Sequence, residues 1–439
     1  MATRESDRLR MMTAAEAAAH LDIKVGTLYA YVSRGWLPSF RRRVGRQALY
    51  RRDDVEALRG IVAPERGRRG RSLPDASSWV TVAQPRGSET PASGIIVAES
   101  AISSIHEGRL AYRGYPIEEL FQHASFEEVS LLLWKGERPD GGAVADLRRG
   151  IARAQMPPAA SASIAAMGDN APPLLRIAAV LPVLASSDRR GDSMPTVDRA
   201  ARIMGMLPLV LAPDRGASAA PAGNRVATRL VSVALRINPL DWEIAAVDRI
   251  LVACAEHEFN ASTFAARVVA STGADLYASL LAAVCSLSGP IHGGACDRIE
   301  QMLAELEAGM RLDECLRTAT LRWRLPPGFG HAIYPNGDPR AVLLKKEAAA
   351  IARRRGARLF DVARLVEDAV WQRERLRPNL DFYLTVCARM LGFARGLPAA
   401  IFALGRVPGW IAHILEQYAD NRLIRPRMRY RGAPLRHWQ

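Results

Sequence analysis

The sequence predicts a mostly α-helical protein in two parts, a small basic N-terminal unit and a large all-α body. The chain has 439 residues, more than one ordinary compact domain and enough for a large core. Beyond residue 94, apolar residues recur at helical spacing between Gly/Pro turns, and the alternation typical of strands is scarce. Residues 1–72 hold sixteen Lys and Arg against eight Asp and Glu, within a net charge of +15. This concentration favours a polyanionic partner, the alternative being a solvated basic tail.

Residues 12–59 have the pattern of a compact helical unit. Thr13 together with Glu16 predicts a capping box at the start of a first helix. Asp22-Ile23-Lys24 predicts a tight turn, after which a second helix ends at Gly35. The stretch SFRRRVGRQALYRRDDV predicts a small β-hairpin that leads into a third helix.

The short helix, tight turn, second helix and basic wing resemble a helix-turn-helix of the MerR/excisionase type over the whole unit. The resemblance implies that the second helix enters the major groove of DNA and that the wing arginines contact phosphates. The alternative is a module kept for protein contacts after its DNA binding was lost. The residues implied in DNA binding are Lys24, Thr27, Tyr31, Arg34, Arg41, Arg42, Arg43 and Arg46.

A linker is predicted at residues 61–92, which are rich in Pro, Gly, Ser and Arg and show no helical period. The body beyond it contains amphipathic segments such as FEEVSLLLWKGERP and DVARLVEDAVWQRERL, and a long helical run from Trp242 through Val284. Residues 213–225 are interpreted as a loose loop.

The composition argues against a metal module, a secreted protein and a membrane protein. Five scattered cysteines without a CxxC pair indicate a reduced compartment and no zinc module. The N-terminus MATRESDRLRMM carries charges where a signal peptide needs an apolar core. The most apolar stretch, Leu276–Ile291, contains serines and a proline and is too short to span a membrane comfortably, which predicts a buried helix. We therefore expect a cytoplasmic protein with no metal site and no membrane contact.

Three polar residues of the body lie in segments bounded by Gly or Pro: His292 in GPIHGGA, His331 in PPGFGH and Asp381 in PNLDFY. This pattern predicts turns rather than helix faces, and a glycine beside a histidine lets a ligand approach the backbone closely. Each residue alone is more often structural. The three together indicate paired acid–base chemistry.

Three arginines form a second candidate set: Arg340 in NGDPRA, Arg406 in FALGRVPGW and Arg425 in LIRPRMRY. The planar guanidinium binds carboxylates bidentately, so several arginines would suit a dicarboxylate substrate. The alternative is that each is a surface charge, since arginine is abundant in this chain.

Several segments of the body, in order, resemble the citrate synthase family: GYPIEELFQHASFEEVSLLLWKGERP, HEFNASTFAARVVAST, GPIHGG, PPGFGHAIYPNGDPRA, NLDFY, and RVPGWIAHILEQ followed by LIRPR. The resemblance runs from about Gly94 to Tyr430. It implies an all-α citrate synthase fold, with a large domain at 93–297 and 395–439 and a small domain at 298–394, preceded by a winged helix-turn-helix domain at 1–60. It also implies a homodimer, with a higher oligomer left open, and no cofactor, because the CoA thioester is a substrate.

The same resemblance implies a role for each candidate. His292 would stabilise the enol at the thioester carbonyl, Asp381 would take the α-proton of the acyl-CoA, and His331 would activate the carbonyl of oxaloacetate. The oxaloacetate-binding residues would be His257, Arg340, Arg406 and, from the partner subunit, Arg425. The CoA-binding residues would be Pro327, Gly328, Phe329 and Gly330.

Three functions follow as hypotheses. The first is an enzyme that condenses acetyl-CoA or propionyl-CoA with oxaloacetate to give citrate or 2-methylcitrate. The second is a DNA-binding transcriptional regulator whose body senses CoA thioesters or oxaloacetate. The third is a structural dimerisation body, which the complete set of acid–base and carboxylate-binding residues argues against.

Overall fold

The computed structural model describes residues 11–33, 37, 40–41, 48–52, 55–56, 99–168, 170–188, 196–211, 223–235, 238–290, 292–356, 358–426 and 430–435. The chain divides into two compact units, Met1–Arg86 and Gly87–Gln439. The predicted linker at 61–92 and most of the loop predicted at 213–225 lie outside the described residues. The division of the body into a large and a small domain stays a prediction.

The N-terminal unit packs two helices against a small antiparallel sheet. Its described elements are β1 (Met11–Thr13), α1 (Ala14–Leu21), α2 (Val25–Ser33), β2 (Phe40–Arg41) and β3 (Ala48–Arg51). The predicted capping box is confirmed, because Thr13 Oγ1 accepts the N–H of Glu16 and the Thr13 N–H donates to Glu16 Oε2 at 2.7 Å. The predicted tight turn follows at Asp22, whose φ is +54°.

One strand of this unit was not predicted. β1 pairs with β3, so that β3 lies between β1 and β2. A three-residue strand is too short to show an alternating pattern in the sequence. Its Met12 nevertheless joins the small core, with Leu21, Leu28 and Tyr50.

The large unit is built from helices around one hydrophobic core, with a single three-stranded sheet among its described residues. Its strands are β4 (Ser103–His106), β5 (Arg109–Tyr112) and β6 (Tyr115–Pro116). Its helices are α3 (Ile117–His123), α4 (Phe126–Lys135), α5 (Gly141–Arg153), α6 (Pro158–Ala166), α7 (Pro173–Ser187), α8 (Thr196–Met206), α9 (Val226–Leu235), α10 (Asp241–Cys254), α11 (Ala261–Ala270), α12 (Leu276–Leu287), α13 (Ala295–Glu307), α14 (Leu312–Trp323), α15 (Pro339–Arg355), α16 (Leu359–Glu374), α17 (Leu380–Leu391) and α18 (Leu397–Asp420), with a 3₁₀ turn at Leu207–Leu211.

The predicted helical run from Trp242 through Val284 is divided into three helices, α10, α11 and α12. A side chain caps the N-terminus of each of the two later helices, α11 and α12. Asn260 Oδ1 accepts the N–H of Thr263 at 3.0 Å, and Asp275 Oδ1 accepts that of Ala278 at 2.8 Å. Such N-caps satisfy backbone donors that a continuous helix would bond internally, so they create a helix boundary within an apolar run. The loop between α10 and α11 carries His257.

Helix α18 runs through the core and packs against α10, α11 and α12. Two glycines allow a close approach to the end of α10. A Cβ on Gly405 would lie 2.6 Å from Cys254 Cβ, and one on Gly409 would lie 2.2 Å from the carbonyl oxygen of Ala255. Among the described residues, α18 is also the one helix long and apolar enough to cross a membrane, but its apolar stretch is wholly buried inside the unit. Its position brings Arg406 to the loop that carries His257.

Candidate active site

A cavity of about 210 Å³ lies at the junction of five segments of the large unit. These are the α10–α11 loop, the turn before α13, the loop before α15, the start of α17, and helix α18. The candidate catalytic and carboxylate-binding residues that line it are His257, His292, His331, Arg340, Asp381 and Arg406. These residues are spread over about 150 positions of the sequence, so tertiary packing alone brings them together.

Two loops are hydrogen-bonded to each other beside the cavity. The N–H of Gly330 donates to the carbonyl of Arg377 at 2.8 Å, and the N–H of Asn379 donates to the carbonyl of Gly328 at 2.9 Å. Gly328 has a φ of +84°, and a Cβ there would lie 2.8 Å from Ile299 Cδ1, so this turn requires glycine. The first loop leads directly into the candidate histidine and the second into the candidate aspartate.

The predicted CoA-binding segment is the first of these loops. Pro327 and Phe329 are buried, and the Phe329 ring lies 4.8 Å from that of Phe382. Gly330 lines a second, smaller cavity of about 80 Å³, which also borders His331. The segment therefore turns its apolar side chains inward, and its contact with CoA stays a prediction.

Asp381 lies on a helix, and the prediction that it occupies a turn is wrong. It is the second residue of α17, and its N–H donates to the capping oxygen of Asn379 at 3.1 Å. The misreading arose because asparagine after proline favours a turn and a helix N-cap alike. The carboxylate is partly buried, and its one hydrogen-bond donor among the described residues is the Cys296 thiol, with Sγ 3.8 Å from Oδ1.

Burial raises the pKa of Asp381 to about 6, against the opposing effect of the nearby Arg340 guanidinium. A carboxylate with this pKa is a stronger base than one in water and is still mostly ionised at neutral pH. These are the properties that abstraction of a weakly acidic proton requires.

His292 lies in the predicted turn and contacts a polar cluster behind the cavity. Its Nε2 is 2.9 Å from Ser262 Oγ, which accepts the indole N–H of Trp410 at 3.2 Å. The single hydroxyl proton of Ser262 has two acceptors in reach, His292 Nε2 and, at 2.8 Å, Asn260 Oδ1. Burial, helped by the positive charge of Arg406, lowers the pKa of His292 to about 4, so its imidazole is neutral at pH 7.

His331 is a neutral histidine whose tautomer follows from its contacts. Its Nδ1 accepts the N–H of Ile333 at 3.1 Å, and burial together with Arg340 lowers its pKa. Because Nδ1 is an acceptor in a neutral ring, the proton is on Nε2. His331 can therefore donate a hydrogen bond from Nε2.

His257 is buried beside His331, with the two ring centroids 5.1 Å apart. Burial and then the charges of Arg340 and Arg406 lower its pKa well below its ordinary value, so it is neutral too. Its Nε2 is 3.1 Å from the hydroxyl of Tyr334, a residue that the sequence analysis missed. An aromatic residue in HAIYPNG is typical of a core position, and no local signal marks it as functional.

Arg340 is buried and held by Asp338, a second residue that the sequence analysis missed. Nε and Nη2 of Arg340 donate to the two carboxylate oxygens of Asp338 at 3.0 and 2.8 Å. Asp338 also accepts the N–H of Leu380, at the start of α17, at 3.0 Å. This pair fixes the guanidinium and leaves only Nη1 outside the two bonds.

Arg406 is fully buried, at 0% exposure, and its guanidinium is only partly satisfied. Nε donates to the carbonyl of Cys254 at 2.6 Å, whereas Nη1 and Nη2 are buried and have no partner among the described residues. Burial lowers the pKa of this arginine. Unpaired buried donors on a charged group are costly, and they are expected where a ligand supplies the missing acceptors. Two donors on one planar group match a carboxylate.

Arg425 is exposed in the segment after α18 and does not line the cavity of its own chain as far as the described residues show. Its implied role in the partner subunit stays a prediction. No group of three or more His, Cys, Asp or Glu side chains within the described ranges is arranged to hold a metal ion.

In the N-terminal unit, Lys24 is exposed just before α2 and Thr27 is partly buried. Val25 and Tyr29, one turn apart on α2, are exposed as well, at 37% and 52%, and were not predicted. Of the other candidates for DNA binding, Arg34, Arg42, Arg43 and Arg46 lie outside the described residues, as do the side chains of Tyr31 and Arg41.

Residues 91–427 match the family described as citrate synthase, C-terminal domain, and residues 11–59 match the helix-turn-helix domain. The chain is 34% identical over 351 residues to citrate synthase 2 of Bacillus subtilis (strain 168), covering 77% of this chain and 94% of that protein. It is 32% identical over 351 residues to the 2-methylcitrate synthase of Mycobacterium tuberculosis, covering 77% and 89%. Among solved structures, the citrate synthase of Thermoplasma acidophilum, in a ternary complex with carboxymethyl coenzyme A and oxaloacetate, has a TM-score of 0.70 at 24% identity, over 78% of this chain and 95% of that one.

Proposed function

Because the chain belongs to the citrate synthase family and is an acyltransferase that condenses an acyl-CoA with oxaloacetate, we propose that its acyl-CoA is acetyl-CoA or propionyl-CoA and its product citrate or 2-methylcitrate. The observation that supports this most is the cavity in which a basic carboxylate, neutral histidines and an unpaired guanidinium meet. The two thioesters differ by one methylene, which pockets discriminate only modestly.

In the first step, Asp381 removes a proton from the carbon next to the thioester carbonyl. A carboxylate in water is too weak a base for this proton, so the developing negative charge on the carbonyl oxygen must be stabilised. His292 does this as a neutral donor. When the Ser262 hydroxyl donates to Nε2, the remaining imidazole proton is on Nδ1, and that N–H bonds the enol oxygen.

In the second step, the enol carbon attacks the ketone carbon of oxaloacetate and forms the new carbon–carbon bond. The Nε2–H of His331 hydrogen-bonds the ketone oxygen, and this oxygen becomes the hydroxyl of the product by gaining one proton, which balances the proton that Asp381 removed. Arg406, with its two unpaired donors, and Arg340 hold the carboxylates, so that the ketone faces the enol. Water then cleaves the thioester of the condensed product and releases CoA.

The measurement that tests this proposal is CoA release by the purified protein with oxaloacetate plus acetyl-CoA or propionyl-CoA. Asp381→Ala should abolish turnover. Asp313→Ala is a matched control, because Asp313 is likewise the second residue of its helix but lies outside the cavity. Turnover that survives in Asp381→Ala, or is absent from folded wild-type protein with both thioesters, would contradict the proposal. The preferred thioester would identify the product.

We also propose that the enzyme is a homodimer in which Arg425 completes the oxaloacetate site of the partner subunit. The support is that Arg425 is exposed, carries the right charge and does not line its own cavity. Mixing inactive Asp381→Ala and Arg425→Ala subunits tests this directly. A mixed dimer then contains one site with both wild-type residues, and activity should return. No recovery after demonstrated subunit exchange would place Arg425 in its own subunit's site, and an active Arg425→Ala homodimer would place it in neither.

A second candidate function, DNA binding by the N-terminal unit, is favoured by the exposed Lys24, Val25 and Tyr29 at the start and on one face of α2. A helix that offers a cation and apolar groups to solvent suits phosphate and thymine-methyl contacts in a major groove. The test is binding of a labelled mixed-sequence duplex by the full-length protein over a salt series, with Tyr29→Ala and Lys24→Ala. Tyr115→Ala, at an exposed tyrosine of the large unit, is the control. Absence of salt-sensitive binding would contradict this function.

A further inference from the structure

Tyr334 lies between two of the candidate histidines and is almost fully buried, at 3% exposure. Its ring centroid is 4.8 Å from that of His331 and 5.5 Å from that of His257. Its hydroxyl is 3.1 Å from His257 Nε2, and this is its one hydrogen-bond partner among the described residues. Tyr334 therefore contacts both histidines through its ring and one of them through its hydroxyl.

The direction of the Tyr334–His257 hydrogen bond follows from the number of protons. The hydroxyl has one proton, and the neutral imidazole of His257 has one proton on either nitrogen. If His257 donated from Nε2, the buried hydroxyl proton would have no acceptor, and leaving a buried donor unpaired is unfavourable. If the hydroxyl donates to Nε2, it is satisfied, and the imidazole proton must be on Nδ1.

We infer that Tyr334 is a positioning residue: by donating to Nε2 of His257, it keeps the His257 proton on Nδ1, where it is offered to oxaloacetate in the cavity. The inference rests on the proposed function for the identity of the ligand. His257 lines the cavity with the two arginines, so a donor there faces the carbonyl and carboxylate oxygens of the substrate. Tyr334 acts through His257 and does not itself touch the reacting atoms.

Tyr334→Phe tests the inference because it keeps the ring and removes only the hydroxyl. Without the donor, His257 can hold its proton on either nitrogen, and part of the population then turns an acceptor towards the substrate. We expect the KM and the dissociation constant for oxaloacetate to rise about three- to tenfold, the range expected for one neutral hydrogen bond. The KM for the acyl-CoA should not change, and kcat should fall less than the affinity does.

Tyr277→Phe is the matched control. Tyr277 is also buried, and its hydroxyl donates to Asp188 Oδ2 at 2.9 Å, away from the cavity. This variant loses a comparable hydrogen bond and should lose stability without any change in oxaloacetate affinity. The inference is overturned if Tyr334→Phe is folded and binds oxaloacetate as the wild type does, or if both variants weaken binding equally.

Calorimetric titration with oxaloacetate separates this inference from the proposed function. If the wild type binds oxaloacetate but turns over neither thioester, the proposed reaction fails, and the affinity of Tyr334→Phe still decides the role of the tyrosine. If the wild type does not bind oxaloacetate at all, both are overturned. Tyr334→Leu adds a second measurement, since loss of the ring should also lower kcat by releasing His331.

Discussion

Arg406→Lys is the substitution with the clearest consequence, because the structure leaves two donors of this buried guanidinium unpaired. Lysine keeps the positive charge but replaces the planar fork by a single ammonium group. A carboxylate bound by Nη1 and Nη2 should therefore lose about one charge-assisted hydrogen bond, which contributes about 1.5–3 kcal/mol. That free energy corresponds to a KM for oxaloacetate raised roughly 10- to 150-fold.

The assay is steady-state release of CoA with oxaloacetate varied at saturating acyl-CoA, repeated with the acyl-CoA varied. Only the KM and kcat/KM for oxaloacetate should change, because the proposed function assigns the lost donors to that substrate. Thermal unfolding with and without oxaloacetate gives an independent measure. A ligand that binds only the folded state stabilises it by about 2.7 kcal/mol at a hundred times its dissociation constant, so a variant with weakened binding shifts less at the same concentration.

Arg229→Lys is the control. Arg229 is as fully buried as Arg406, but its guanidinium donates to the carbonyls of Ile151 and Ala154 at 3.1 and 2.8 Å. This variant should lose stability and keep the wild-type KM for oxaloacetate. The reasoning is refuted if folded Arg406→Lys keeps that KM within about threefold, less than the smallest hydrogen-bond contribution allows, or if Arg229→Lys raises it as much.

Three further predictions follow from single groups. The kcat/KM for the acyl-CoA should fall as the pH drops through about 6, because Asp381 acts as a base only when ionised; His292, with a pKa of about 4, should add no second limb above pH 5 in a pH–rate profile. Cys296→Ala removes the thiol that donates to the Asp381 carboxylate, so the pKa of Asp381 should rise and the acid limb of the pH–rate profile should move to higher pH. Asp338→Ala leaves the buried charge of Arg340 unpaired and should cost about 3–5 kcal/mol of unfolding free energy in urea titrations.

Each of these predictions has an outcome that contradicts it. An acid limb near the ordinary pKa of an aspartate would mean that the Asp381 carboxylate is more exposed to solvent than the structure indicates. Cys315→Ala, at a buried thiol that donates to the carbonyl of Met302, is the control for Cys296→Ala, and an equal shift in both would rule out a specific effect. An unchanged free energy of unfolding for Asp338→Ala would show that water solvates the Arg340 guanidinium in place of the lost carboxylate.

The site also illustrates a balance between stability and function. The pKa of Asp381 is raised in the folded state, so the fold is most favoured with this carboxyl protonated, and that contribution is lost as the pH rises through about 6. Arg406 likewise carries two donors that the fold itself does not satisfy. Both groups are held in an unfavourable state, as expected for an active site, and the proposed function has oxaloacetate supply the acceptors that Arg406 lacks.

Much of the site was predictable from residue types in short segments. GPIHGGA and PPGFGH identified His292 and His331, and the structure places both beside the cavity. PNLDFY identified Asp381 but not its helix, because Asn379 suits a turn and an N-cap alike. Tyr334 was not predictable, since a lone aromatic residue near a histidine most often belongs to the core.

The helical character of the body, the capping box at Thr13 and the identity of the polar residues available for chemistry could be predicted from the amino-acid sequence alone. These depend on neighbours within a few positions, through helical periodicity, capping and turn chemistry. The folded structure was needed to show that Arg340 is paired with Asp338, that Nη1 and Nη2 of Arg406 have no partner among the described residues, and that the histidines are neutral. These properties depend on distances between segments remote in sequence and on the removal of water from the charged groups, and water is excluded only once the helices have packed.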